Sequence, residues 1–265
     1  MKQLSEIIKK IEENKKDLEF LPTGLTKIDT FLDGGFLKKE LVVLGAATGK
    51  GKSFVSSHIF YNIAKAGFKS AYFSLEISNE MIVSRLIGAI ANLSPTRVMT
   101  GFLYEDEFKA KNEAKAEVSV YEEFMYFYDD IYIFAEIEKQ IKENNYEFVV
   151  VDFIQNIIAN KGEEYERLSF IATSLQKLAK DTNSCIMVLS QLSNVVAREK
   201  REDIVEYRGS GTIATVCDLG FFIERNEIVG DENTFSVKIR KNRRGIAGKS
   251  FDFIFKHPGG IIVET

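Results

Sequence analysis

Apolar residues at Leu4, Ile7, Ile8 and Ile11, set among lysines and glutamates, recur at helical spacing and predict an amphipathic helix that ends before Pro22. Beyond Pro22-Thr23-Gly24 the pattern changes. Short β-branched or aromatic runs at 40–45, 70–75, 126–130, 148–153 and 185–191 alternate with helical patterns near 52–66, 78–92, 134–145 and 164–182. Strands alternating with helices predict an α/β fold with a mostly parallel central sheet and helices on both faces. From Asp218 the helical patterns stop, and strand runs at 221–224, 236–241 and 250–255 predict an antiparallel C-terminal extension. The expected organisation is therefore an N-terminal helix over residues 1–20 and one domain over 21–265.

Composition narrows the setting. The 265 residues are 45% hydrophobic and 28% charged, enough for one sizeable core and free of the bias that marks disorder. No apolar run approaches the roughly 20 residues of a membrane span, and the N-terminus lacks a signal-peptide core, so a cytoplasmic protein without a membrane partner is expected. Cys185 and Cys217 sit in apolar runs and read as buried free thiols of a reducing compartment. His58 and His257 do not form a metal-ligand pattern. A net charge of −4 opposes wholesale coating of nucleic acid but allows a focal basic site.

The strongest chemical signal follows the apolar run Leu41-Val42-Val43-Leu44. There Ala46-Ala47-Thr48-Gly49-Lys50-Gly51-Lys52-Ser53 reads as a phosphate-binding loop opening into a helix at Phe54. Small residues let backbone N–H groups close around a phosphate, and the helix N-terminus favours the anion. Ala47, Thr48, Gly49, Lys50, Gly51, Lys52, Ser53 and Phe54 are the expected nucleotide contacts, with Lys52 on the β- and γ-phosphates and the Ser53 hydroxyl on Mg²⁺. Asp152 ends the run Phe148-Val149-Val150-Val151, at the strand edge where ligands of open α/β sheets sit, and reads as the second metal-side group. Glu76 ends a second strand and is the candidate base for the attacking water. Gln191, after a third, suits a γ-phosphate sensor.

Two further segments carry charge or glycine. In Arg208-Gly209-Ser210-Gly211-Thr212, Arg208 would meet a phosphate while Gly209 and Gly211 bring backbone amides close to a ligand. Lys238, Arg240, Lys241, Arg243, Arg244 and Lys249 occur within twelve residues with no acid, and strand alternation puts Lys241 and Arg243 on one side. Such a pair aimed at a neighbour's nucleotide would make activity depend on assembly.

Taken in order, these segments resemble the RecA-like motor domain of the bacterial replicative DNA helicase (DnaB type) and its phage relatives, from Leu21-Pro22-Thr23-Gly24 to about Phe255. That family's phosphate loop also begins with alanine. Phe73-Ser74-Leu75-Glu76-Ile77 is similar to its catalytic-glutamate segment, Asp152-Phe153-Ile154-Gln155 to its metal-side segment, and Leu189-Ser190-Gln191-Leu192 to its glutamine sensor. Arg208 to Ile213 is similar to its single-strand-binding loop, and Lys241-Asn242-Arg243-Arg244-Gly245 to the segment entering the adjacent subunit's site, with Arg243 as arginine finger and Lys241 beside it. Gly209 replaces a common glutamate, and Ala214-Thr215-Val216-Cys217 a more polar segment.

The resemblance implies a RecA-like P-loop NTPase fold, ATP and Mg²⁺ as cofactors, and a ring, expected to be hexameric, with ATP sites between subunits. It also implies translocation on single-stranded DNA, with a primase or helicase loader as further partners, and makes the N-terminal helix a linker that packs on the next protomer. Two other functions share these motifs: a RecA-like recombination or loading ATPase that does not unwind, and a binding module that keeps the nucleotide as a switch.

Overall fold

The computed structural model describes residues 3–14, 19–192, 211–225 and 233–265. Helix α1 (Leu4–Asn14) carries two exposed apolar residues, Leu4 at 72% and Ile8 at 47%. The sequence pattern extends this helix to Phe20. Instead Phe20–Leu21 (β1) pairs antiparallel with Phe36–Leu37 (β2) around α2 (Thr26–Phe31), because both aromatics find a partner strand. The Thr23-Gly24 turn is held from within: Asp29 accepts from the Thr23 N–H and hydroxyl and from the Gly24 N–H. Asn62 then donates to the Thr23 carbonyl, tying the turn to the next helix.

The main domain runs β3 (Leu41–Ala46), α3 (Lys52–Lys65), β4 (Ser70–Ser74), α4 (Asn79–Ala91), α5 (Pro95–Thr100), α6 (Glu105–Ser119), β5 (Met125–Tyr128), α7 (Phe134–Asn144), β6 (Phe148–Asp152) and α8 (Glu164–Thr182). It continues through β7 (Cys185–Gln191), α9 (Gly211–Val216), β8 (Leu219–Arg225), β9 (Thr234–Asn242), β10 (Ser250–Lys256) and β11 (Ile261–Glu264). These strands form a nine-stranded sheet in the order β11-β10-β9-β8-β3-β7-β6-β4-β5. Pairing is parallel from β8 across to β5 and antiparallel from β8 out to β11. The sequence reading placed residues 221–224 in the antiparallel extension. They lie in β8, which pairs in parallel with β3, so that extension begins at β9.

Strand β3 explains its own apolar run. Val42 and Leu44 face one core with Val55, Ile59 and Ile63 of α3, while Leu41 and Val43 face another with Ile137 of α7 and Leu175 of α8. Covered on both faces, the strand carries no polar alternation. Each such side chain contributes about 1.5–3 kcal/mol when fully buried. A third, smaller core lies beneath α4, α5 and α6, around Leu86, Ile87, Val98 and Val118. Cys185 and Cys217 are buried free thiols, as expected.

Candidate nucleotide-binding site

The parallel strands deliver their C-terminal ends to one edge, and there the predicted residues meet. Past Ala46 the chain turns through Gly49 (φ 75°) and Gly51 (φ 95°), left-handed positions that a side chain would strain. Gly51 is the N-cap of α3, so the first N–H groups of that helix point to the loop's mouth without helical partners. Lys52 is 8% exposed and folds back, its ammonium donating to the carbonyls of Ala46 at 3.0 Å and Ala47 at 3.2 Å. Burial lowers its pKa, while Asp152 and Glu76 oppose the shift. Two loop carbonyls thus hold the lysine beneath the loop's backbone amides.

Asp152 is 1% exposed at the end of β6. Burial raises its pKa, and the hydroxyls of Ser53 and Tyr72 offset part of that rise. The Tyr72 hydroxyl donates to Oδ2 at 2.9 Å, whereas Oδ1 is buried without a hydrogen-bond partner. A buried, unsatisfied carboxylate oxygen close to a serine hydroxyl is the donor set of a hard divalent cation such as Mg²⁺. Among the described residues no larger cluster of histidine, cysteine and carboxylate side chains competes for a metal. Glu76 follows β4 into a solvent-exposed turn, near enough that its charge acts on Lys52, Asp152 and Arg85.

Gln191 is level with Ala46 across the β3–β7 pair. Its N–H donates to Gln155 Oε1 at 3.4 Å, and Gln155 Nε2 donates to the Ser190 hydroxyl at 3.1 Å. Gln155, three residues after Asp152, therefore links the metal-side strand to the sensor strand.

A family model for the DnaB-like helicase C terminal domain matches residues 21–258. The chain belongs to that family. It is 30% identical over 243 residues to the replicative DNA helicase DnaB of Treponema pallidum, covering 89% of this chain and 54% of that protein. The replicative DNA helicase DnaC of Bacillus subtilis is 27% identical over 257 residues, covering 91% and 56% respectively. The chain thus spans about half the length of the curated relatives it matches. Among solved structures, an ATPase domain superposes with a TM-score of 0.86 at 22% identity, covering 100% of this chain and 99% of that one. A DnaB-like replicative helicase, solved to show its interactions with primase, superposes at 0.84 and 20% identity, covering 100% and 67%. These likenesses show the RecA-like P-loop fold.

Within this DnaB-like domain the remaining predicted residues lie elsewhere. Lys241 pairs with Gly220 and Asn242 with Leu219, and Leu219 is level with Val42, so this segment sits at the opposite, N-terminal edge of β3. Val42 and Ala46 alone are roughly 13 Å apart at about 3.3 Å per residue, so neither cation reaches its own phosphate loop. Both instead hold the end of α9: Lys241 donates to the carbonyls of Ala214 and Thr215, and Arg243 to that of Thr215 at 2.9 Å and to Asp218 Oδ1 at 3.1 Å. Arg208 and Gly209 lie outside the described residues. Gly211 opens α9, whose Thr212 hydroxyl accepts from Ser169 of α8 at 3.0 Å.

Three site residues escape sequence reasoning. Tyr72 and Arg85 are hidden inside apolar runs. Arg85 lies 4.5 Å over the Phe54 ring with Nη1 buried and unpartnered, and burial lowers its pKa against the pull of Tyr72, Asp152 and Glu76. Arg225 comes within 4.0 Å of where a side chain at Gly51 would begin and stands 5.5 Å over Phe255. A lone arginine at a strand end carries no periodic signal.

Proposed function

We propose that this chain is the ATP-hydrolysing motor of a replicative DNA helicase, working as a ring, hexameric by family resemblance, on single-stranded DNA. The observation that carries the reading is the placement of two sets of residues at opposite sheet edges. Lys52, Glu76, Asp152 and Gln191 converge at the C-terminal edge, and Lys241 with Arg243 lies at the N-terminal edge, folded onto the end of α9. In a head-to-tail ring the second set meets the first set of the next subunit.

The loop amides and Lys52 would bind the triphosphate, and Ser53 and Asp152 would hold Mg²⁺, which when bound neutralises phosphate charge. Glu76, in water and beside the loop, orients and partly deprotonates the attacking water. Gln191, coupled to Gln155, registers the γ-phosphate and passes its loss to the chain that follows β7. The cationic and aromatic pair Arg225 and Phe255 offers a flat wall for the base. Arg243, with Lys241, stabilises transition-state charge in trans. The exposed Leu4 and Ile8 of α1 support an N-terminal linker within residues 1–20 that docks on a neighbour. The loop at Arg208, Gly209 and Gly211 is the proposed DNA contact, with a primase or loader as further partner and the cytoplasm as its compartment. No helix among the described residues is long and apolar enough to cross a membrane.

Steady-state ATP hydrolysis, with and without single-stranded DNA and across protein concentrations, tests this. Stimulation by DNA together with specific activity rising with concentration is expected, and strand separation of a forked duplex distinguishes unwinding from a loading or recombination ATPase. A rate flat in both variables would favour the nucleotide-switch module.

A further inference from the structure

Tyr72 packs in the core, but its hydroxyl is explained by neither packing nor the motifs. It is fully buried in β4, its ring set edge-on to Phe60 with centroids 5.5 Å apart, so the phenol cannot swing away. Its hydroxyl lies 2.9 Å from Asp152 Oδ2 and 2.8 Å from the Ser56 hydroxyl, itself fully buried. Ser56 lies one helical turn after Ser53 and 3.2 Å from the Ser53 carbonyl. Ser56, Tyr72 and Asp152 therefore form a hydrogen-bonded chain through α3, β4 and β6 that ends on a metal-side residue.

Proton counting fixes its direction. An ionised carboxylate only accepts, so Tyr72 gives its single proton to Asp152 and must accept from Ser56. The Ser56 proton then points to Tyr72, and its longer contact to the Ser53 carbonyl is secondary. Oδ2 is thereby occupied while Oδ1 is buried and unpartnered.

We propose that Tyr72, steadied by Ser56, is a positioning residue that clamps Asp152 so that Oδ1 is presented to the divalent cation. The inference rests on the nucleotide-site reading above. Without the phenol, the carboxylate's terminal torsion has only broad preferences, and both oxygens lose their fixed assignment. Partners of this outer kind typically change metal affinity by about 10–100-fold when removed.

The test is Mn²⁺ binding in the presence of ADP, read by electron paramagnetic resonance on the wild-type chain, Tyr72→Phe and Ser56→Ala, with nucleotide binding in EDTA and thermal melting alongside. Tyr72→Phe should weaken Mn²⁺ about tenfold or more while EDTA-resistant nucleotide binding stays unchanged. Ser56→Ala, which leaves the Tyr72–Asp152 bond in place, should shift Mn²⁺ affinity in the same direction by less. Wild-type Mn²⁺ affinity in Tyr72→Phe overturns the clamp alone, as does an equal loss of metal-free nucleotide binding, which would mark a general structural role. A wild-type chain that takes up no Mn²⁺ with nucleotide overturns the nucleotide-site reading itself.

Discussion

Lys52 and Arg243 are both cations read as phosphate ligands, yet the fold treats them in opposite ways. Lys52 is 8% exposed at the C-terminal sheet edge, inside a loop whose two left-handed glycines leave its backbone little choice. Arg243 has a side chain 46% exposed at the other edge, and its partners are a helix-end carbonyl and Asp218. The arginine end of that pair is half open to water, where an ion pair contributes about 0–1 kcal/mol. The first half-site is built before any ligand arrives. In the proposed ring the second is parked on the chain's own surface, where a neighbour would take it up. A shared site needs both properties, because rigidity sets the geometry of the nucleotide while a weakly held finger lets hydrolysis report on assembly.

Breaking the rigid half has the largest expected effect. Lys52→Ala should abolish both nucleotide binding and hydrolysis, measured by fluorescent nucleotide titration and phosphate release. Asp152→Asn sharpens the contrast: hydrolysis should be lost while the melting temperature at neutral pH rises. Burial raises the pKa of this carboxyl, so keeping its charge inside the fold costs stability, and the asparagine removes that cost. A lower melting temperature would show that the buried charge is compensated better than its unpartnered Oδ1 implies. Removing residues 1–20 should spare the rigid half and weaken assembly, moving the rise of specific activity to higher protein concentration in the same assay.

The smallest effect is a pH dependence behind the phosphate loop. Burial lowers the His58 imidazole of α3 from 6.5 to about 4. Between those values the unfolded chain binds a proton that the folded chain refuses, so stability should fall as pH drops from 6.5 towards 4. His58→Gln should flatten that slope in thermal melts.

The same contrast governs what the sequence discloses. The rigid half was legible because its constraints are local. Gly49, Gly51 and Lys52 follow a strand and open a helix, and Asp152 ends an unbroken apolar run. Helices α5 and α6 were not anticipated. Of the residues of α6, only Ala114 and Val118 are buried, so its apolar stripe is too thin to read as a period. The parallel pairing of β8 depends on a partner far away in the chain, which strand patterning does not encode. Tyr72 and Arg85 were invisible for a different reason: they occupy core-facing positions of apolar elements and reveal their chemistry only when β6 and α3 arrive beside them. The order of Lys241 and Arg243 in the chain was plain from resemblance. Only the sheet register shows that they stand at the edge away from their own nucleotide loop.

Whether a neighbour completes the site is decided by ATP binding and hydrolysis of Arg243→Ala under assembling conditions. Near-normal nucleotide affinity is expected with a hydrolysis rate lower by about 10³ or more, the range seen when an arginine finger is withdrawn. Hydrolysis at the wild-type rate would leave Arg243 as a surface residue holding α9. Loss of binding and hydrolysis together would mean that it supports the fold rather than an adjacent subunit's site.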